Sequence, residues 1–192
     1  MKAIMISIKP KWCAKILNGE KTIEVRKNKA LANAIQKLID EYGYAEFYVY
    51  CTKGKPNLWL PYEYDCFELD EASQPYLSDK PIVDIDTKMN GKVIFKFRCY
   101  KAEDIDHWYS IMPCFQQTCL SPQEFTDYIG SEIGYAIYIS DLEIFDKPKE
   151  LSEFKPFNNG MPQYRFTKNG CEYRTLTKAP QNFCYLEVEQ WT

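Results

Sequence analysis

Histidine is nearly absent: His107 stands alone among 192 residues, beside Trp108 in a stretch without periodicity, so the chain has no evident Cys-His or Ser-His catalytic pair. Long apolar runs are missing as well. No segment approaches the roughly 20 apolar residues that a membrane-spanning helix needs, and Lys9 and Lys11 interrupt the apolar run after Ile8, so neither a membrane span nor a secretory leader is expected and a reducing, cytoplasmic setting is. The chain has no Gly-rich phosphate loop, no dinucleotide fingerprint and no carboxylate cluster with metal-ligand spacing, so no cofactor is expected. It also lacks internal repeats and low-complexity tracts.

Cysteine is plentiful, with eight residues, yet no Cys-x-x-Cys pair occurs. In a reducing compartment Cys13, Cys51, Cys66, Cys99, Cys114, Cys119, Cys171 and Cys184 read mostly as small apolar packing groups. A zinc site from Cys114, Cys119, Cys171 and Cys184 lacks recognisable ligand spacing, and no metal is expected. Aromatic residues make up 16% of the chain, with fifteen Tyr and eleven Phe, which favours a β-rich core and surfaces able to stack on flat ligands. The net charge of −3 conceals an asymmetry: residues 1–60 hold eleven Lys or Arg against five Asp or Glu, and residues 61–90 hold two against eight. A polyanion responds to charge within about one Debye length, ~8 Å at physiological salt, so the basic first third keeps RNA open as a partner. Lys9, Lys11, Lys15, Lys27 and Lys29 can equally be a solvated face.

A chain of this length suits one domain with a sizeable core. Met1 to Ile8 reads as a strand. Residues 10–18 read as a helix, with Pro10 in the first turn, Trp12, Ile16 and Leu17 at helical spacing, and Asn18-Gly19 as a left-handed stop. A short strand over residues 21–27 follows. Leu31, Ala34, Ile35, Leu38 and Ile39 trace the apolar stripe of a helix over residues 29–42, which Gly43 ends. Strands are expected over residues 45–52, 92–100, 134–145 and 183–188. Ser121-Pro122-Gln123-Glu124 opens a helix with a capping box, buried through Phe125, Tyr128 and Ile129 and ended by Gly130. Between residues 54 and 90 the periodicity fails, which signals an inserted subelement or flap. There Trp59, Leu60, Tyr62, Tyr64 and Phe67 would anchor the segment while Glu63, Asp65, Glu68, Asp70 and Glu71 face outward and compete with phosphates for the basic surface.

The strand after the first helix carries the candidate chemistry. In Gly19-Glu20-Lys21-Thr22-Ile23-Glu24-Val25-Arg26, period two sends Ile23 and Val25 to one face and Thr22, Glu24 and Arg26 to the other. A half-solvated antiparallel strand shows the same alternation.

Ile6-Ser7-Ile8-Lys9-Pro10, the helix and Gly-x-Lys-Thr-x-Glu-x-Arg resemble the start of an ASCH domain, in the PUA-like superfamily. Gly134 to Leu142, Lys147 to Leu151 and Ala179 to Tyr185 resemble phage and prophage members of that family. The likeness covers most of the chain outside about 54–90 and 156–178. It implies an α+β fold, a small PUA-like, mainly antiparallel barrel of five or six strands with two or three outer helices, as a single domain over 1–192 with an insertion at about 54–90. Strand counting alone would also allow an OB-fold or another α+β architecture.

The resemblance further implies a cleft at the barrel mouth, lined by Lys21, Glu24 and Arg26, that recognises RNA or a nucleotide-like small molecule. Arg26 would meet phosphate or a base edge, Lys21 would supply a point charge, and Glu24 would accept from an exocyclic amine. Lys9, Lys53 and Lys55 flank the expected mouth as candidate phosphate contacts. Some similar proteins are amidohydrolases that deacetylate acetylated cytidine with a lysine matching Lys21; by that likeness Lys21 is nucleophile or base, with Glu24 as the acid. Glu24 stands where those enzymes carry threonine, and Thr118 falls where their acid would. Two further readings remain: an internal ionic clasp, and a phage protein-interaction module using the aromatic, acidic insertion.

Overall fold

The computed structural model describes residues 1–61, 73–83, 86–158, 161–168 and 170–188. Strand β1 (Lys2–Ile8) leads into helix α1 (Pro10–Leu17), strand β2 (Ile23–Arg26), helix α2 (Lys29–Tyr42) and strand β3 (Ala45–Cys51). Local chemistry sets these limits. Pro10 occupies the first turn of α1, and Gly19 just beyond it takes a left-handed φ of 73°. The Asn28 side chain caps α2 by accepting from Leu31 N at 3.0 Å, and Gly43 ends it at φ 82°.

Three short strands follow, β4 (Asn57–Leu60), β5 (Tyr76–Ser78) and β6 (Thr87–Lys88). Then come β7 (Val93–Cys99), β8 (Ala102–Ile105), a 3-10 segment (Trp108–Thr118) and helix α3 (Pro122–Ile129). The second half holds β9 (Gly134–Tyr138), β10 (Ser140–Lys149), a 3-10 turn (Leu151–Glu153), β11 (Lys155–Asn158), β12 (Met161–Pro162), β13 (Tyr164–Thr167), β14 (Gly170–Tyr173) and β15 (Phe183–Glu187).

The largest sheet runs β10-β7-β3-β1-β15-β11-β12, with β1 and β3 parallel and the other neighbours antiparallel. Its interior strand β3 is buried along its whole length. Phe47, Val49 and Cys51 face the core beneath α1 and α2, with Ile4, Ile6, Phe95 and Phe97, and Phe47 stacks on its cross-strand partner Phe97 at 4.8 Å. Tyr48 and Tyr50 face the other way, against Met5, Phe145 and Phe154. Both faces are covered, so β3 reads as an almost unbroken apolar run.

A second sheet, β2-β9-β8, continues the first, because β7 passes into β8 and β9 into β10 with only short breaks between them. A third core of Ile23, Val25, Ile105, Phe115, Phe125 and Ile129 lies between this sheet, the long 3-10 segment and α3.

One expectation is corrected. The described ladders do not close into a barrel; they form open sheets, and β2 pairs with β9 alone. Where a barrel would pair β2 with β1, a side chain bridges instead: Arg26 Nη2 donates to the Ser7 carbonyl at 2.7 Å. The stretch over 54–90, where the periodicity fails, contains the sheet β5-β4-β6, whose Leu58 and Leu60 are buried in the core beside α1. The aromatics and acids at Tyr62, Glu63, Tyr64, Asp65, Phe67, Glu68, Asp70 and Glu71, assigned to an acidic flap, lie outside the described residues. No described helix is long and apolar enough to cross a membrane.

Candidate functional site

β2 begins shortly beyond α1, and that connection turns the Lys21 side chain inward beneath Trp12. Lys21 is 2% exposed and Glu24 is 7% exposed, so the polar side of β2 is not the solvated face that alternation alone allowed. A buried ammonium must spend its donors on acceptors. Lys21 Nζ donates to the Ile23 carbonyl at 2.8 Å and to the Thr118 carbonyl at 2.7 Å, and lies 3.3 Å from Glu24 Oε2. Two of its N–H groups thus meet carbonyl acceptors, and the Glu24 carboxylate supplies the counter-charge.

The other Glu24 oxygen, Oε1, lies 2.9 Å from Arg26 Nε, a charge contact without hydrogen-bond alignment. Arg26 is anchored at its far end by the Ser7 carbonyl. Lys21, Glu24 and Arg26 therefore form one ionic trio, with the carboxylate between two cations. A carboxylate offers about four acceptor positions, and the two cations leave room for a guest's donors.

The trio forms the floor of a cleft of about 290 Å3 whose walls include Ile8, Trp12, Val25, Leu120 and Tyr128, with Lys9 and Glu124 also lining it. Helix α3 supplies Glu124 and Tyr128. Its capping box fixes that wall: Ser121 Oγ accepts from Glu124 N at 3.1 Å, while Glu124 Oε2 accepts from Ser121 N at 2.9 Å. Glu124 also pairs with Lys11 at 3.5 Å, and Lys11 lies over the Trp12 ring at 4.4 Å. Burial pushes the Tyr128 hydroxyl above its usual range. Burial likewise holds the Cys13 thiol well above its ordinary value, so Cys13, on α1, is no thiolate nucleophile.

Of the residues singled out in the sequence, Lys21, Glu24, Arg26 and Lys9 meet at this cleft. Lys53 and Lys55 do not line it; they are exposed between β3 and β4, where the Lys53 stem passes Gly91. Thr118 stands beside Lys21 but offers its backbone carbonyl, while its hydroxyl donates to Phe115 O at 2.7 Å. Trp12, Tyr128, Leu120 and Glu124 were not assigned to a site from the sequence. The apolar stripe of α3 was legible, but which of its edges faces β2 is set by tertiary packing. Among the described residues no group of three or more His, Cys, Asp or Glu side chains is placed to hold a metal ion.

No family model matches the chain, and no curated protein does. Solved structures do. The crystal structure of ASCH from Zymomonas mobilis superimposes with a TM-score of 0.52 at 17% identity, covering 96% of this chain and 87% of that one. A point mutant of the same protein gives 0.51 at 16% identity, covering 96% and 88%. At this level of identity the likeness is one of fold: the chain has a mixed α+β architecture similar to that of the Zymomonas ASCH protein.

Proposed function

We propose that the cleft binds one nucleobase, carried either by a free modified nucleoside or by a nucleotide of an RNA. The observation that carries this reading is the buried Lys21–Glu24–Arg26 trio at the floor of a small cleft with Trp12 and Tyr128 in its walls. At about 290 Å3 the cleft is at the lower end of ligand-pocket sizes, suited to one flat ring system. Trp12 and Tyr128 offer apolar ring surface, Glu24 accepts from an exocyclic amine, and Arg26 presents donors in a plane. Lys21 acts as a positioning residue that keeps the Glu24 carboxylate aimed.

The deacylating alternative asks more of Lys21. A lysine nucleophile must free a lone pair, whereas this ammonium donates to two carbonyls and is ion-paired to a carboxylate, and no acid stands at Thr118. The arrangement therefore favours holding over hydrolysis. The ASCH-like fold is compatible with a nucleic-acid-related ligand.

Equilibrium dialysis against a panel of modified nucleosides and short RNAs, with chromatography of the recovered ligand, tests this. The expected outcome is retention of an unchanged nucleoside or RNA, weakened at least tenfold by Trp12→Ala and by Arg26→Lys. Turnover of an acylated cytidine that disappears in Lys21→Ala would replace binding with hydrolysis, and retention of no nucleoside or RNA would reject both.

A further inference from the structure

The hairpin β13-β14 belongs to neither main sheet; among the described residues its strands pair only with each other, Tyr164 with Tyr173, Arg165 with Glu172 and Phe166 with Cys171. Period two places Tyr164, Phe166, Cys171 and Tyr173 on one face. That face is open: Phe166 is 86% exposed, Tyr164 50% and Tyr173 44%. The two tyrosine rings lie 4.7 Å apart, and Lys155 of β11 sits over the Tyr173 ring at 4.3 Å. An isolated two-stranded ribbon with an uncovered aromatic face buries too little to justify its aromatics by stability.

Charge indicates what covers it. Residues 163–178 carry Arg165, Lys168, Arg174 and Lys178 against the single acid Glu172, in a chain whose net charge is −3. All four cations are exposed, and none forms an ion pair among the described residues. Rings with free faces, set among unpaired cations on a ribbon, fit a polyanion that itself carries flat rings.

We propose that the Tyr164–Tyr173 hairpin is a second binding surface, which takes single-stranded nucleic acid by stacking bases on Phe166 and Tyr164 while Lys168 at the turn, and Arg165 and Arg174 reaching round the narrow ribbon from its other face, meet phosphates. This surface is separate from the cleft. None of its residues lines the cleft, and its claim does not depend on what the cleft holds.

The test is fluorescence anisotropy of a short fluorescein-labelled oligouridylate over a salt series, with sedimentation velocity of the same samples. Phe166→Ala is expected to weaken binding about tenfold. R165S/K168S should flatten the salt dependence by about 0.7 in log–log slope for each phosphate no longer neutralised. Both variants replace exposed side chains, and thermal melts matching the parent would show that they fold. Neither hairpin variant should alter retention of a free modified nucleoside in equilibrium dialysis, because none of the hairpin residues lines the cleft, so a failed nucleobase reading and a failed hairpin reading give different patterns. Unchanged affinity and slope in both hairpin variants would overturn the proposal. So would a dimer that Phe166→Ala converts to monomer without oligouridylate binding, because the hairpin would then pair with a second copy.

Discussion

At the scale of single residues, the buried trio is a liability that its own geometry offsets. Glu24 neutralises an ammonium that is 2% exposed, so Glu24→Ala leaves Lys21 with two carbonyls and no counter-charge. Removing one partner of a buried ion pair costs about 3–5 kcal/mol. Urea unfolding of Glu24→Ala should show a loss of that size, and Lys21→Met added to it should recover part of the loss, because no stranded cation then remains. An equal and additive loss in the double variant would mean that the pair is not coupled. The sequence made the three side chains visible but not their enclosure. Alternation put Glu24 and Arg26 on one side of β2; it gave no sign that Lys21 turns under Trp12, since its fixed acceptors are backbone carbonyls, one of them 97 residues away.

At the scale of elements, the wall that α3 gives the cleft depends on a close approach. A Cβ on Gly134, the first residue of β9, would come 2.7 Å from Ile129 Cδ1 at the end of α3 and 3.0 Å from Ile105 Cγ1 on β8. Gly134→Ala therefore overpacks the junction of α3, β8 and β9, and a loss of ~1–3 kcal/mol is expected in chemical denaturation. Hydrogen exchange in α3 should quicken with it; an unchanged melt and unchanged exchange would show that Ile129 and Ile105 yield freely. The boundaries of α2, the capping box of α3 and the strands at 45–52 and 92–100 were legible because propensity, caps and apolar period agree there. By contrast β5 and β6 have three and two residues, too few for a period to register. Ala102–Ile105 was missed for a related reason: its burial does not alternate, and pairing with β9 rather than pattern makes it a strand. The Gly134–Phe145 strand was expected to bend, and it breaks at Ile139 with Asp141 at φ 48°.

At the scale of the whole molecule, charge and shape divide into two surfaces. The cleft is lined by Lys9, Lys21 and Arg26 against Glu24 and Glu124, a near balance that differs from the strongly basic groove the first sixty residues suggested. Retention of a nucleoside there should change little across a salt series, whereas oligonucleotide binding through the hairpin should fall steeply; equal slopes would mean that one surface serves both ligands. Bulk composition could not separate these surfaces, because a basic segment in sequence spreads over several faces once it folds.

The hydrogen bond from Lys21 to the Thr118 carbonyl also orders events in time. While the polypeptide is still being made, a stretch ending before residue 118 holds the lysine, the glutamate and the arginine but lacks the acceptor that lets the ammonium leave water. The cleft is thus a late product of synthesis, absent from the nascent N-terminal half and completed only when the middle of the molecule emerges and docks.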